Sequence, residues 1–118
     1  WYRAFEICDS YNAHLASPES AAEFDHLSSK LISLTGSAND KCFWLAGTDM
    51  AKEGEFHWWG IGKSITYARW SPGQPDNAGK NGENCVHLWR LKKHDFYSMN
   101  DNVCAAALHY ICETNSNY

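Results

Sequence analysis

The chain of 118 residues is long enough for one domain with a buried core and too short for two. It is 44% hydrophobic and 20% charged, ordinary for a globular protein, with a formal net charge of −4. Its ten basic residues are scattered rather than striped, which excludes a phosphate-reading surface, and no apolar run is long enough to span a membrane. The one local basic group, Arg90, Lys92, Lys93 and His94, is expected to be a solvated loop. No signal peptide is visible and the chain opens at Trp1 inside a helical pattern, so an upstream segment is expected to be missing. There is no internal repeat, and residues 1–118 are read as a single domain.

Trp1, Phe5 and Cys8 sit at helical spacing and predict a short amphipathic helix over Trp1 to Asn12. A second helix is predicted with Ser17 as its N-cap, Pro18 in the first position and Glu19 complementing the dipole. Phe24, Leu27, Leu31 and Leu34 form its apolar stripe, and Gly36 ends it. The pattern then changes to short strands at Phe43 to Leu45 and Phe56 to Trp59, with the turn Lys52-Glu53-Gly54 between them. From Ser71 to Glu83 the chain reads SPGQPDNAGKNGE, almost all turn formers. A loop that long in a compact domain is expected to serve a function or to be held by an ion. Strands are predicted again at Cys85 to Trp89, around Phe96-Tyr97 and at Leu108 to Cys112. Helices first and short strands later make an α+β domain. Of the six tryptophans, Trp1, Trp44, Trp58 and Trp70 are assigned to the core.

Five cysteines, Cys8, Cys42, Cys85, Cys104 and Cys112, form no C-x-x-C pair, which speaks against zinc or redox chemistry. Their density points to disulfides, an oxidising compartment and a secreted, extracellular protein. The odd count leaves one cysteine as a thiol or bonded outside the chain.

The residues that carry chemistry cluster in the long loop and just beyond it: Gln74, Asp76, Glu83, Asn100 and Asp101. All five offer hard oxygen ligands and three are carboxylates, the set that suits calcium better than magnesium or zinc. On composition alone the same loop reads equally as a solvated acidic segment. No nucleophile motif such as G-x-S-x-G occurs, and His14, His26, His57 and His109 show no metal-ligand spacing, so the chain is not read as an enzyme.

The neighbouring motifs decide between the two readings of the loop. Trp1-x-x-Ala4-x-x-x-Cys8, His14-Leu-Ala-Ser17, Phe43-Trp-Leu-Ala-Gly47, Trp70-x-x-Gly-Gln-Pro-Asp-Asn77, Gly82-Glu-Asn-Cys85, Asn100-Asp101 and Tyr110-Ile-Cys-Glu113 follow one another in order. That ordered set resembles the C-type lectin-like domain over essentially the whole chain, in its galactose-type Q-P-D form, which invertebrate lectins also carry. The resemblance implies two helices packed on short antiparallel sheets, with a long calcium-binding loop. It also implies disulfides Cys8–Cys112 and Cys85–Cys104. Cys42 then stays open: a buried thiol, a link to a second chain in a dimer, or a bond to an upstream cysteine.

Carried over by position, the family's sugar-binding calcium site falls on Gln74, Asp76, Glu83, Asn100 and Asp101, with a cis Gln74–Pro75 bond. In that family two sugar hydroxyls complete the calcium shell while the same side chains exchange hydrogen bonds with them. Q-P-D in place of E-P-N implies galactose-type rather than mannose-type glycans. A lectin-like domain that binds protein without sugar is the alternative, and recognition of microbial glycans in innate immunity is a role such domains serve. The chain departs from the pattern at Met99, where the family has Trp, and at Asn77 and Ala78, where a sugar-stacking ring is usual. His87 and Trp89 alternate on one strand face and are candidates to replace that ring, although packing is the expected role for both. A second metal site falls on Asp49, Glu53, Asn77, Glu83 and Asn84. Two positions that are often Asp are amides there, so weak binding or none is expected.

Overall fold

The computed structural model describes residues 1–36, 41–77, 82–90 and 97–114. Helix α1 runs over Tyr2–Ser10 and buries Ala4 and Cys8, with Trp1 and Phe5 stacked beside them. Its end is set by Asn12, in the left-handed region at φ 57°, a conformation that Asn tolerates better than most residues. Strand β1, His14–Leu15, then pairs antiparallel with the last strand, β8, Cys112–Glu113. The Cys8–Cys112 bridge ties helix to strand at this point.

Helix α2 spans Ala21–Thr35, and its N-cap is Ser20 rather than Ser17. Ser20 Oγ accepts from Glu23 N, and the Glu23 carboxylate in turn accepts from Glu19 N, a reciprocal cap. Ser17 is unavailable because the extended chain of β1 carries on past Leu15. Ala16 N donates to Ile111 O, and Ser17 N to Glu113 Oε1. The stripe is also shorter than predicted: Phe24 and Leu31 are buried, Leu27 is half-buried, and Leu34 is 75% exposed. Gly36, at φ 60°, closes the helix as expected.

The main sheet has the order β4-β3-β2-β5-β6, where β2 is Phe43–Thr48, β3 His57–Trp58, β4 Lys63–Ser64, β5 Cys85–Trp89 and β6 Ser98–Asn102. Strand β7, His109–Tyr110, lies parallel to β2. The predicted single strand over Leu108 to Cys112 is thus two, β7 and β8, serving different sheets. Central β2 is apolar on both faces, with Trp44, Leu45 and Ala46 essentially fully buried. Trp1 docks on it by donating its indole N–H to Leu45 O at 2.8 Å. Trp58 is buried and Trp70 packs against the core, so all four tryptophans take the roles assigned to them.

Strand β6 was not predicted as such; the reading placed a strand around Phe96-Tyr97, and Phe96 lies outside the described residues. Its register against β5 sets Val86 opposite Asp101, His87 opposite Asn100 and Leu88 opposite Met99. Cys85–Cys104 staples this pair at one end. Cys42, half-buried, takes part in neither disulfide. Arg90 is not in a solvated loop: it is 7% exposed, donates to Gly36 O at 2.8 Å and lies over the Tyr97 ring. Lys92, Lys93 and His94 lie outside the described residues. Among the described residues, no helix is long and apolar enough to cross a membrane.

Candidate functional site

The base of the long loop is pinned to β6 before any ligand is reached. Met99, fully buried, donates its N–H to Arg69 O and accepts from Ser71 N. Ser71 Oγ hydrogen-bonds Ser98 Oγ and accepts the indole N–H of Trp89. Met99 therefore serves through its backbone, and a smaller side chain than Trp leaves that role intact. From Ser71 the chain turns, with Gln74 N donating to Ser71 O, and passes through a cis Gln74–Pro75 bond.

Asp101, on β6, fastens the loop from below. Its Oδ1 accepts from Asp76 N at 3.2 Å and its Oδ2 from Asn77 N at 2.8 Å. Burial holds its carboxyl above the usual carboxylate range, partly offset by those two N–H donors. The return limb is closed by Asn77 Oδ1, which accepts from Glu83 N at 2.8 Å. Gly82 is required there: at φ +79° an added Cβ would meet Asn77 Oδ1 at 2.8 Å. Ala78, the other position examined for a stacking ring, lies outside the described residues.

These contacts bring together what the sequence reading grouped. Asp76, Glu83 and Asp101 each present a carboxylate oxygen, all within 4.8 Å of one another. Three such charges repel one another by about 1–3 kcal/mol per pair at surface dielectrics, and a bound cation removes that cost. Two further oxygens, Gln74 Oε1 and Asn100 Oδ1, are buried and have no hydrogen-bond partner among the described residues. Buried amide oxygens are nearly always satisfied, so this pair marks a place for a missing electrophile. Their nitrogens are engaged, Gln74 Nε2 toward Asp76 Oδ2 and Asn100 Nδ2 toward His87 Nε2. The donor set is all oxygen, three of the five charged, which fits calcium.

His87 and Trp89 are placed differently from the candidate role of a stacking platform. His87 is 1% exposed, its ring edge-on to both Trp44 and Trp89, so it has no face to offer a sugar. Burial pushes its imidazole down to about 4. Trp89 is half-buried with its N–H committed to Ser71. The contact of His87 with Asn100 was missed because it runs across strands. The alternation of His87 and Trp89 was visible, but the strand facing them was not.

The second predicted site is assembled in part. Asp49 is buried and accepts from Gly54 N at 2.9 Å. Asn84 brings its amide to 3.1 Å from both Asp49 Oδ1 and Glu53 Oε1, and with its nitrogen turned toward them it would donate to both carboxylates. The hydrogen bond with Asp49 raises the Glu53 carboxyl above its ordinary range. Asn77 and Glu83 are instead joined to each other in the loop closure.

With this geometry in hand, the relatives can be compared. A family model described as Lectin C-type domain matches residues 1–114. The chain belongs to the C-type lectin family. C-type lectin domains generally bind carbohydrate in a calcium-dependent way, and this chain carries an acidic cluster at Asp76, Glu83 and Asp101. Salivary C-type lectin 2 of Aedes albopictus is 37% identical over 116 residues, covering 96% of this chain and 76% of its own length. Salivary C-type lectin 1 of the same mosquito is 32% identical over 115 residues, covering 96% and 74%. Among solved structures, the cow C-type carbohydrate-recognition domain of CD23 superposes with a TM-score of 0.79. At 31% identity the match covers 100% of this chain and 81% of that one, and the structure was determined in the presence of a GlcNAc2Man3 oligosaccharide.

Proposed function

We propose that this C-type lectin domain is secreted and non-enzymatic, and that it binds galactose-type glycans through calcium held by Gln74, Asp76, Glu83, Asn100 and Asp101. The observation that carries the reading is the meeting of three carboxylates with two buried amide oxygens that have no partner among the described residues. A solvated acidic loop explains the carboxylates but leaves the orphaned amides without a reason. Two disulfides support the extracellular assignment.

Calcium, when bound, supplies open shell positions for two neighbouring sugar hydroxyls. The protein's part is to set the order of hydrogen bonding around those hydroxyls. Asp76 and Glu83 accept, while the amides of Gln74 and Asn100 each have N–H groups to donate. Gln74 and Asp76 stand on the two sides of Pro75, so exchanging acid and amide there reverses which side donates. Groups matched to the original order would then meet donor against donor, at a cost of about 1–3 kcal/mol.

The test is elution from immobilised galactose and immobilised mannose, with and without a chelator. The wild type is retained on galactose and released by chelator. The variant Gln74→Glu with Asp76→Asn keeps calcium but moves its retention to mannose. Preference of the wild type for mannose, the sugar class present in the CD23 structure, rejects the galactose assignment. Failure to bind any sugar while binding calcium favours a domain that recognises protein.

A further inference from the structure

We infer that His87 is a positioning residue for the cation site, orienting the Asn100 amide so that its oxygen is left for an ion and its nitrogen for a ligand. The inference deepens the proposed function and rests on it.

The chain of constraint starts at the backbone. Strands β5 and β6 pair with His87 directly opposite Asn100, so the two side chains share one face of the sheet. The imidazole is held between two indoles, 5.9 Å from the Trp44 ring and 5.5 Å from the Trp89 ring, nearly perpendicular to each. Its Nδ1 lies 3.2 Å from Leu88 O. A carbonyl only accepts, so Nδ1 carries the hydrogen, and in the neutral ring Nε2 is left with a lone pair. That lone pair faces Asn100 at 3.2 Å. Only the NH₂ group of the amide can meet it, because the reversed amide would set oxygen lone pairs against the nitrogen lone pair. The amide is planar, so fixing its nitrogen fixes its oxygen on the other side. That oxygen is the buried Asn100 Oδ1, which has no partner among the described residues. Asn100 Nδ2 has a second N–H besides the one given to His87, enough to donate to a ligand hydroxyl. The carbonyl of Leu88 thus sets the tautomer of His87, and the tautomer sets the face that Asn100 shows. Filling space between two tryptophans would need no particular tautomer.

Two measurements test this. Nitrogen NMR of the wild-type chain in chelator is expected to show His87 with a protonated Nδ1, an unprotonated Nε2 and a coupling across the hydrogen bond to Asn100 Nδ2. The opposite tautomer overturns the inference, and this measurement needs neither calcium nor a variant. Calcium affinity by calorimetry is the second. His87→Phe keeps a ring but removes the acceptor and should weaken binding about 10- to 100-fold, the usual effect of losing a group that orients a ligand. His87→Gln restores an acceptor and should recover most of the loss. Undiminished calcium binding in His87→Phe, or an equal loss in both variants, overturns the inference and leaves the proposed function standing. Absence of calcium binding by the wild type overturns both.

Discussion

Two acidic clusters lie on the sheet, and they handle their charge in opposite ways. In the triad Asp49, Glu53 and Asn84, the Asn84 amide lies within reach of both carboxylates and can donate to both with its nitrogen turned inward, and the hydrogen bond with Asp49 raises the Glu53 carboxyl. With the Asn84 nitrogen inward the cluster is satisfied without a cation, and with the oxygen inward it would present three oxygens to one. In the loop cluster Asn100 Nδ2 turns away to His87, Gln74 Nε2 reaches Asp76, and both amide oxygens are without a partner among the described residues. Carboxylates alone therefore do not distinguish a cation site from an internally neutralised one. The deciding feature is what the neighbouring amides are free to do.

The comparison predicts unequal responses to perturbation. The largest is at the loop. Calcium at a hundred times its dissociation constant should stabilise the fold by about 2.7 kcal/mol, a rise of roughly 10 °C in melting temperature for a chain of this size. Asp101→Ala should abolish that rise, because it removes a ligand and releases Asp76 N and Asn77 N together. Scanning calorimetry with and without chelator checks both, and a full calcium shift in Asp101→Ala would break the contrast.

A smaller effect is expected from Gly82→Ala, which leaves every ligand in place but forces a Cβ against Asn77 at a positive φ. It should cost about 1–2 kcal/mol in denaturant unfolding, with calcium affinity reduced rather than lost. Equal stability of this variant and the wild type would mean that the loop closure is looser than described.

Asn84→Asp sharpens the contrast at the other cluster. It replaces the neutralising donor with a third carboxylate, and calorimetry should then register a second, weaker calcium. A stoichiometry unchanged from the wild type would show that charge alone does not convert the triad. The smallest effect belongs to Glu53→Gln, expected to change affinity at the loop site by no more than about threefold, as for a screened, exposed charge.

All five loop-site residues could be read from the sequence because their chemistry is local and their motifs are short. The disulfides and the cis bond came with the resemblance to the family, whereas the α+β class followed from the order of helices and strands. What could not be read depended on contacts distant in sequence. Ser98-Met-Asn-Asp-Asn102 has no strand signature and is a strand only because β5 pairs with it. Ser17 carries every local mark of an N-cap, including Pro18 and Glu19, and is overruled by a carboxylate 96 residues away. Leu34 continues the helical period yet stays exposed, which the period alone does not reveal. His87 reads from the sequence as a packing residue with sugar stacking as the alternative, and its contact with Asn100 needs the strand across the sheet.

The pinning of β5 to β6 has a practical consequence. Glu83 and the Gln74–Asp76 segment belong to the loop, whereas Asn100 and Asp101 belong to a strand whose register is pinned by ladder bonds and a covalent bridge. A slip of one residue would turn Asn100 away from His87 and Asp101 away from the loop amides. The strand half therefore acts as a chassis on which the other half can be exchanged. A library confined to the 72–83 segment, with Gln74, Asp76, Asn77, Gly82 and Glu83 retained, would alter ligand choice while keeping the residues proposed to seat the ion.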